Sequence, residues 1–75
     1  MTRYLNKNGN SGVLMYEIHK DYMDVMFNNN TVYRYSNIIP GQHELDMMKS
    51  LAICGSGLCR YISKNVGRNY ARKLW

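Results

Sequence analysis

The sequence predicts a small α+β domain, in which a three-stranded antiparallel β-meander is followed by two helices packed on one face. Three observations support this fold class. Apolar and polar residues alternate in the first half of the chain, turn-forming residues interrupt that alternation, and the second half shows the three- and four-residue spacing of amphipathic helices. At 75 residues the chain has room for one domain, and its 45% hydrophobic fraction is typical of a globular protein.

Three runs of period-two alternation predict the strands. The apolar positions of the first two are Leu14, Tyr16 and Ile18, then Met23, Val25 and Phe27. The asparagines at 28–30 follow, and because asparagine tolerates left-handed backbone they predict a hairpin turn. The third strand is predicted over residues 31–35, with Tyr33 and Tyr35 on one face and Arg34 on the other.

Helical spacing begins after Pro40. Residues 42–52 place Leu45, Met48, Leu51 and Ala52 at offsets of three and four, which predicts the first helix. Ser56 is expected to cap a second helix that runs through Leu58 to Val66. The chain is therefore divided into a flexible N-terminal segment at 1–11, a domain at 12–70 and a basic C-terminal tail at 71–75.

Positive charge is concentrated in the second part of the chain. Residues 47–75 carry six basic side chains and no acidic one, whereas residues 1–46 carry four basic and five acidic ones. Such asymmetry favours an anionic partner, although a solvated basic face is equally compatible with it. Four of the cations recur every four residues, as Arg60, Lys64, Arg68 and Arg72. They form a straight row if the helix is continuous, and a basic tail follows if Gly67 ends it.

Several classes of protein are disfavoured. No apolar run approaches the ~18 residues that a membrane span requires, and residues 1–9 lack the apolar core of a signal peptide, so we expect a cytoplasmic protein. Cys54 and Cys59 are then expected to be buried thiols, and no metal site is predicted because the histidines are not spaced as ligands. The short chain and its few carboxylates argue against an enzyme.

Besides the basic residues, the aromatic residues are a second candidate for ligand contact. Tyr33 and Tyr35 flank Arg34, and rings on an open sheet can stack on bases while a guanidinium contacts phosphate. Rings on a covered sheet face would instead belong to the core. The sequence leaves both interpretations open.

Taken together, these residues resemble a KTSC domain, the short module named from the C-terminus of some lysyl-tRNA synthetases and found as a free-standing protein in bacteria and phages. The resemblance runs from Tyr16 to Tyr70. It includes the Tyr33-Arg-Tyr35 unit, Pro40 at the start of a helix, and Tyr61-Ile-Ser-Lys-Asn-Val66 where the family resembles Tyr-Phe-Asn-x-x-Ile. Ser63 stands where the family has Asn, and residues 55–59 lengthen the approach to this unit.

The resemblance implies RNA binding and, for the chain, a bacterial cell or a phage-infected host. We therefore predict a small basic non-enzymatic domain that binds RNA or other nucleic acid, without cofactor, metal or membrane. The candidate contact residues are Tyr33, Arg34, Tyr35, Arg60, Lys64, Arg68 and Arg72. The alternatives are a phage-encoded protein that binds and inhibits a host protein, and one that sequesters a nucleotide second messenger. The unpaired edges of a three-stranded sheet leave a homo-oligomer open as well.

Overall fold

The fold is a small α+β domain. A computed structural model of the chain describes residues 1–7, 9 and 11–75; the other two residues of the predicted N-terminal segment lie outside the described residues. The elements in chain order are β1 (Thr2–Arg3), β2 (Val13–Ile18), β3 (Tyr22–Phe27), β4 (Val32–Ser36), α1 (Gln42–Cys54), α2 (Leu58–Tyr61), a π-helical segment (Ile62–Val66) and β5 (Arg72–Lys73). The longest helix, α1, has 13 residues, and no helix among the described residues is long and apolar enough to cross a bilayer.

The sheet contains five strands in the order β1-β2-β3-β4-β5, and every neighbouring pair is antiparallel. The predicted meander forms its centre as β2, β3 and β4. In the turn between β3 and β4, Asn30 adopts the expected left-handed backbone with φ of 65°. The prediction of three strands is incomplete, because a two-residue strand is added at each edge.

Both added strands come from segments that the sequence predicts to be loop or tail. Thr2 and Arg3 pair with β2, and the next residue, Tyr4, is only 3% exposed. Arg72 and Lys73 pair with β4. The edges of the meander offer unpaired peptide groups, and burial of the Tyr4 ring adds apolar stabilisation, so the termini are held despite their polar composition. Only short edges remain for strand-to-strand association between copies.

One face of the sheet is covered by the helices, as predicted. Met23, Val25 and Tyr35 point to this side and pack with buried residues of both helices, including Leu45, Met48, Ala52 and Leu58. Alternation places the neighbouring positions of each strand on the opposite, open face. We call these the covered face and the open face.

The start of α2 differs from the sequence prediction. Gly57, not Ser56, precedes the helix, and it adopts a left-handed φ of 86° that glycine accommodates without strain. The backbone N–H of Leu58 donates to the Tyr4 hydroxyl at 3.2 Å, so a distant aromatic residue replaces the local side-chain cap.

The cysteines are free, but only one is shielded. Cys59 is half-buried, whereas Cys54 at the end of α1 is exposed, which contradicts the expectation that both are buried. Cys54 is the last residue of α1.

Candidate nucleic-acid interface

The four-residue row of cations is broken at Gly67. This residue has φ of 58° and ψ of −126° and ends the π-helical segment at Val66. Arg60 and Lys64 therefore stay on the helical segment, Arg68 lies in the following turn, and Arg72 continues into β5. All four side chains are exposed, but the row is not one straight strip.

Arg72 is placed with Arg34 on the open face. The two residues are register partners in β4 and β5, and the same cross-strand row continues to Asp24 and Glu17. The open face therefore carries two acids and two bases side by side, in the order Glu17, Asp24, Arg34, Arg72.

Arg34 is engaged within the protein. Its guanidinium donates two hydrogen bonds to the buried Asp24 carboxylate, at 2.8 and 3.1 Å, and lies 4.1 Å from the centre of the Tyr22 ring. The hydrogen bonds to Asp24 raise the pKa of Arg34 above its usual value. A bidentate pair of this kind leaves little of the cation for a ligand.

The same neighbourhood brings together three groups of metal-ligating type, Glu17, His19 and Asp24, whose candidate ligand atoms lie within 4.8 Å of one another. These groups already have partners. His19 Nε2 lies 2.6 Å from Glu17 Oε2, and both oxygens of Asp24 accept from Arg34. The cluster is explained by these internal contacts.

Tyr35 belongs to the core. Its side chain is only 2% exposed, so no ring face is offered to a base. Burial, followed by the neighbouring Tyr33 and Tyr70, raises the pKa of Tyr35 well above that of a free tyrosine. Of the Tyr-Arg-Tyr unit, only Tyr33 is left as a half-exposed aromatic contact.

Tyr33 contributes to a groove that the sequence did not indicate. Its ring centre lies 5.8 Å from that of Phe27 and 4.5 Å from that of Tyr70. These rings meet the β3–β4 turn on one side and the π-helical segment on the other, around a half-open cavity of about 370 Å³. We call it the aromatic groove; its other lining residues are Gly12, Asn28, Asn29, Thr31, Tyr35, Cys59, Ile62, Ser63, Gly67 and Arg68, of which Tyr35 is almost fully buried.

Two cations lie at this groove. Arg68 lines it directly, and Lys73 Nζ lies 6.0 Å from the centre of the Tyr33 ring, on the limit of a cation–π contact. Neither forms an ion pair with an acid among the described residues. The groove thus combines aromatic rings, side-chain amides and uncompensated positive charge.

A second cavity has a volume of about 380 Å³, and Cys59 lines both cavities. Its wall includes Arg60 and the Gly55–Gly57 loop, together with the polar side chains of Tyr4, Asn6 and Ser11. Lys64 lines neither cavity but follows directly on Ser63, which lines the aromatic groove.

Phe27 and Tyr70 were missed as candidate contacts. Phe27 was predicted on a strand face, and two-residue alternation places it on the same side of the sheet as Tyr33, so a signal for this pair existed. The approach of Tyr70 had no such signal, because it depends on the direction that the chain takes after Gly67.

Comparison of the chain with models of protein families, with curated proteins and with solved structures finds no match.

Proposed function

We propose that this chain is a KTSC-like, non-enzymatic domain that binds single-stranded RNA or related nucleic acid in the aromatic groove. The observation that carries the proposal is the meeting of Phe27, Tyr33 and Tyr70 beside Arg68 and Lys73, which form no ion pair among the described residues. Aromatic rings stack on bases without regard to sequence, and cations at the rim contact the phosphates that connect them.

Size and chemistry favour a base as the occupant. A cavity of about 370 Å³ lies at the lower end of the range typical of small-molecule sites, and a single base with its sugar is of that order. Asn28 adds an exposed amide group that can donate to and accept from base edges, and Asn29, whose Oδ1 accepts from Thr31, adds its amide donors. A double helix would keep its bases stacked and out of reach, so the groove suits an unpaired strand.

The structure also alters which of the candidate residues enter the proposal. Tyr33, Arg60, Lys64 and Arg68 are retained, whereas Tyr35 is excluded by its burial and Arg34 by its pairing with Asp24. Arg72 shares the open face with Arg34 and is excluded as well. We further propose a cytoplasmic location in the cell that makes the protein.

The direct test is fluorescence anisotropy with labelled single-stranded RNA and DNA over a range of salt concentrations. Substitution Tyr33→Leu keeps an apolar side chain but removes the ring, and it is expected to weaken binding by about tenfold, because one stacked base contributes roughly 1–3 kcal/mol. Arg3→Gln is the matched control, since Arg3 lies on the exposed strand β1 and belongs to neither cavity.

Cysteine alkylation provides an independent map of the contact. Cys59 lines the groove, whereas Cys54 is exposed and lines neither cavity. Bound oligonucleotide is therefore expected to slow alkylation of Cys59 and leave that of Cys54 unchanged. A folded protein that binds no oligonucleotide at low salt would refute the proposal and favour a protein partner.

A further inference from the structure

The second cavity carries an unusual set of polar side chains. Asn6 Oδ1 accepts the backbone N–H of Ser11 at 3.0 Å, and Ser11 Oγ accepts that of Val13 at 3.1 Å. The Tyr4 hydroxyl accepts the backbone N–H of Leu58 at 3.2 Å. In each of these side chains an oxygen is already occupied by a backbone donor.

The three side chains together retain four donor hydrogens. The two hydroxyls each retain a proton, and the amide of Asn6 retains both hydrogens on nitrogen. Within residues 1–7, 9 and 11–75, no side-chain or ion-pair contact occupies these hydrogens. Tyr4 is the most informative of them, because it is only 3% exposed and yet lines the cavity.

The charge at this cavity is positive, which also suits an anion. Arg60 lines it, is exposed, and forms no ion pair with an acid of the described chain. No aspartate or glutamate is among the lining residues described. A cavity that offers several donors, a guanidinium and no carboxylate is complementary to an anion with several acceptor oxygens.

We infer that this second cavity, which we call the donor cavity, binds a phosphate group of the ligand whose base occupies the aromatic groove. The inference rests on the proposed function: Cys59 lines both cavities, and we infer that a nucleotide with its base in the aromatic groove extends past Cys59 to place its phosphate in the donor cavity. A terminal phosphate fits best, because a monoester presents three acceptor oxygens and up to two negative charges. That group belongs either to the end of an RNA strand or to a free nucleotide.

The test compares four probes by isothermal titration calorimetry: a short RNA with a 5′-phosphate, the same RNA with a 5′-hydroxyl, the same RNA with a 3′-phosphate, and a mononucleotide. We expect one of the phosphorylated strands to bind about tenfold more tightly than the 5′-hydroxyl strand. In Arg60→Gln that advantage is expected to fall below twofold, while Arg3→Gln preserves it. A mononucleotide that matches the phosphorylated strand assigns the site to free nucleotides, and one that binds at least tenfold more weakly assigns it to strand ends.

Failure of this inference is distinguishable from failure of the proposed function. If all strands bind equally well and Tyr33→Leu weakens them, the groove binds nucleic acid and the donor cavity has no role in it. Titration with inorganic phosphate, followed by amide chemical shifts, tests the cavity alone. Shifts at Ser11, Gly57 and Arg60 that disappear in Arg60→Gln support the site even for a weak ligand, and the absence of such shifts at millimolar phosphate overturns it.

Discussion

The two faces of the sheet use charge and aromatic rings in opposite ways. On the open face, Arg34 is bound to Asp24 and rests on the Tyr22 ring, so charge and ring satisfy each other. On the covered face, the rings of Tyr33 and Tyr70 meet at a groove whose cations, Arg68 and Lys73, have no acidic partner in the described chain. A cation with a buried partner contributes to folding, whereas one without a partner is available to a ligand.

The largest expected effect concerns stability and the open face. Asp24→Ala leaves Arg34 without its partner, and we expect the free energy of unfolding to fall by about 2 kcal/mol. This is less than for a fully buried pair, because the Arg34 side chain is 33% exposed. Urea denaturation of Asp24→Ala, Arg34→Ala and the double variant measures the coupling directly. Single-variant losses that simply add would show that the pair does not stabilise the fold.

Gly67 tests how the chain passes from the helical segment to β5. Its backbone has φ of 58° and ψ of −126°, a conformation that a residue with Cβ rarely adopts, although no atom would contact the added Cβ within 4 Å. Gly67→Ala is therefore expected to lower the free energy of unfolding by about 1–2 kcal/mol through backbone strain alone. Thermal denaturation provides the measurement. Unchanged stability would mean that the turn relaxes, in which case the placement of Arg68 and Tyr70 is not fixed by this glycine.

Removal of a cation from each face gives the sharpest contrast. Arg68→Gln is expected to reduce the slope of log affinity against log salt by about 0.7 for a single strand, because one phosphate contact is lost. Arg34→Gln should leave both the slope and the affinity within twofold of wild type and reduce stability instead. Anisotropy titrations at several salt concentrations distinguish these outcomes. An equal loss of slope in both variants would place the ligand across both faces.

The smallest expected effect is on stability at alkaline pH, and it comes from the hydroxyl of Tyr35. Because burial raises the pKa of Tyr35, the folded state holds this proton more tightly than the unfolded chain does. The resulting stability is complete below the pKa of an unfolded tyrosine, about 10, and is lost as the pH rises beyond it. The urea midpoint should therefore fall further between pH 8 and pH 11 in the wild type than in Tyr35→Phe. Equal falls would show that the hydroxyl remains ionisable within the fold.

The parts of the fold that follow from local pattern could be predicted. Alternation located β2, β3 and β4 to within a few residues, and the spacing of Leu45, Met48 and Ala52 located α1 together with its buried side. The strands β1 and β5 could not be found in this way. Two residues are too few to show periodicity, and their pairing depends on edges that exist only after the meander has formed.

The candidate site was predictable only in part, for the same reason. Local alternation placed Tyr33 and Tyr35 on one face, but which of the two is buried depends on how far the helices extend over the sheet. The regular spacing of four cations suggested one row, which Gly67 divides by redirecting the chain. The hydrogen bond from Leu58 to Tyr4 joins residues 54 positions apart and had no local signal.

The sequence by itself determined the α+β class, the central meander, the first helix and the excess of positive charge in the second part of the chain. These depend on interactions between residues a few positions apart, which leave a periodic trace. Tertiary structure alone decided that Arg34 is paired, that Tyr35 is buried, and that Tyr33, Tyr70 and Arg68 meet at one groove. The physical reason is that pairing and burial are properties of contacts between distant segments, and the same side chain is a core residue, an ion-pair partner or a ligand contact according to what the fold places beside it.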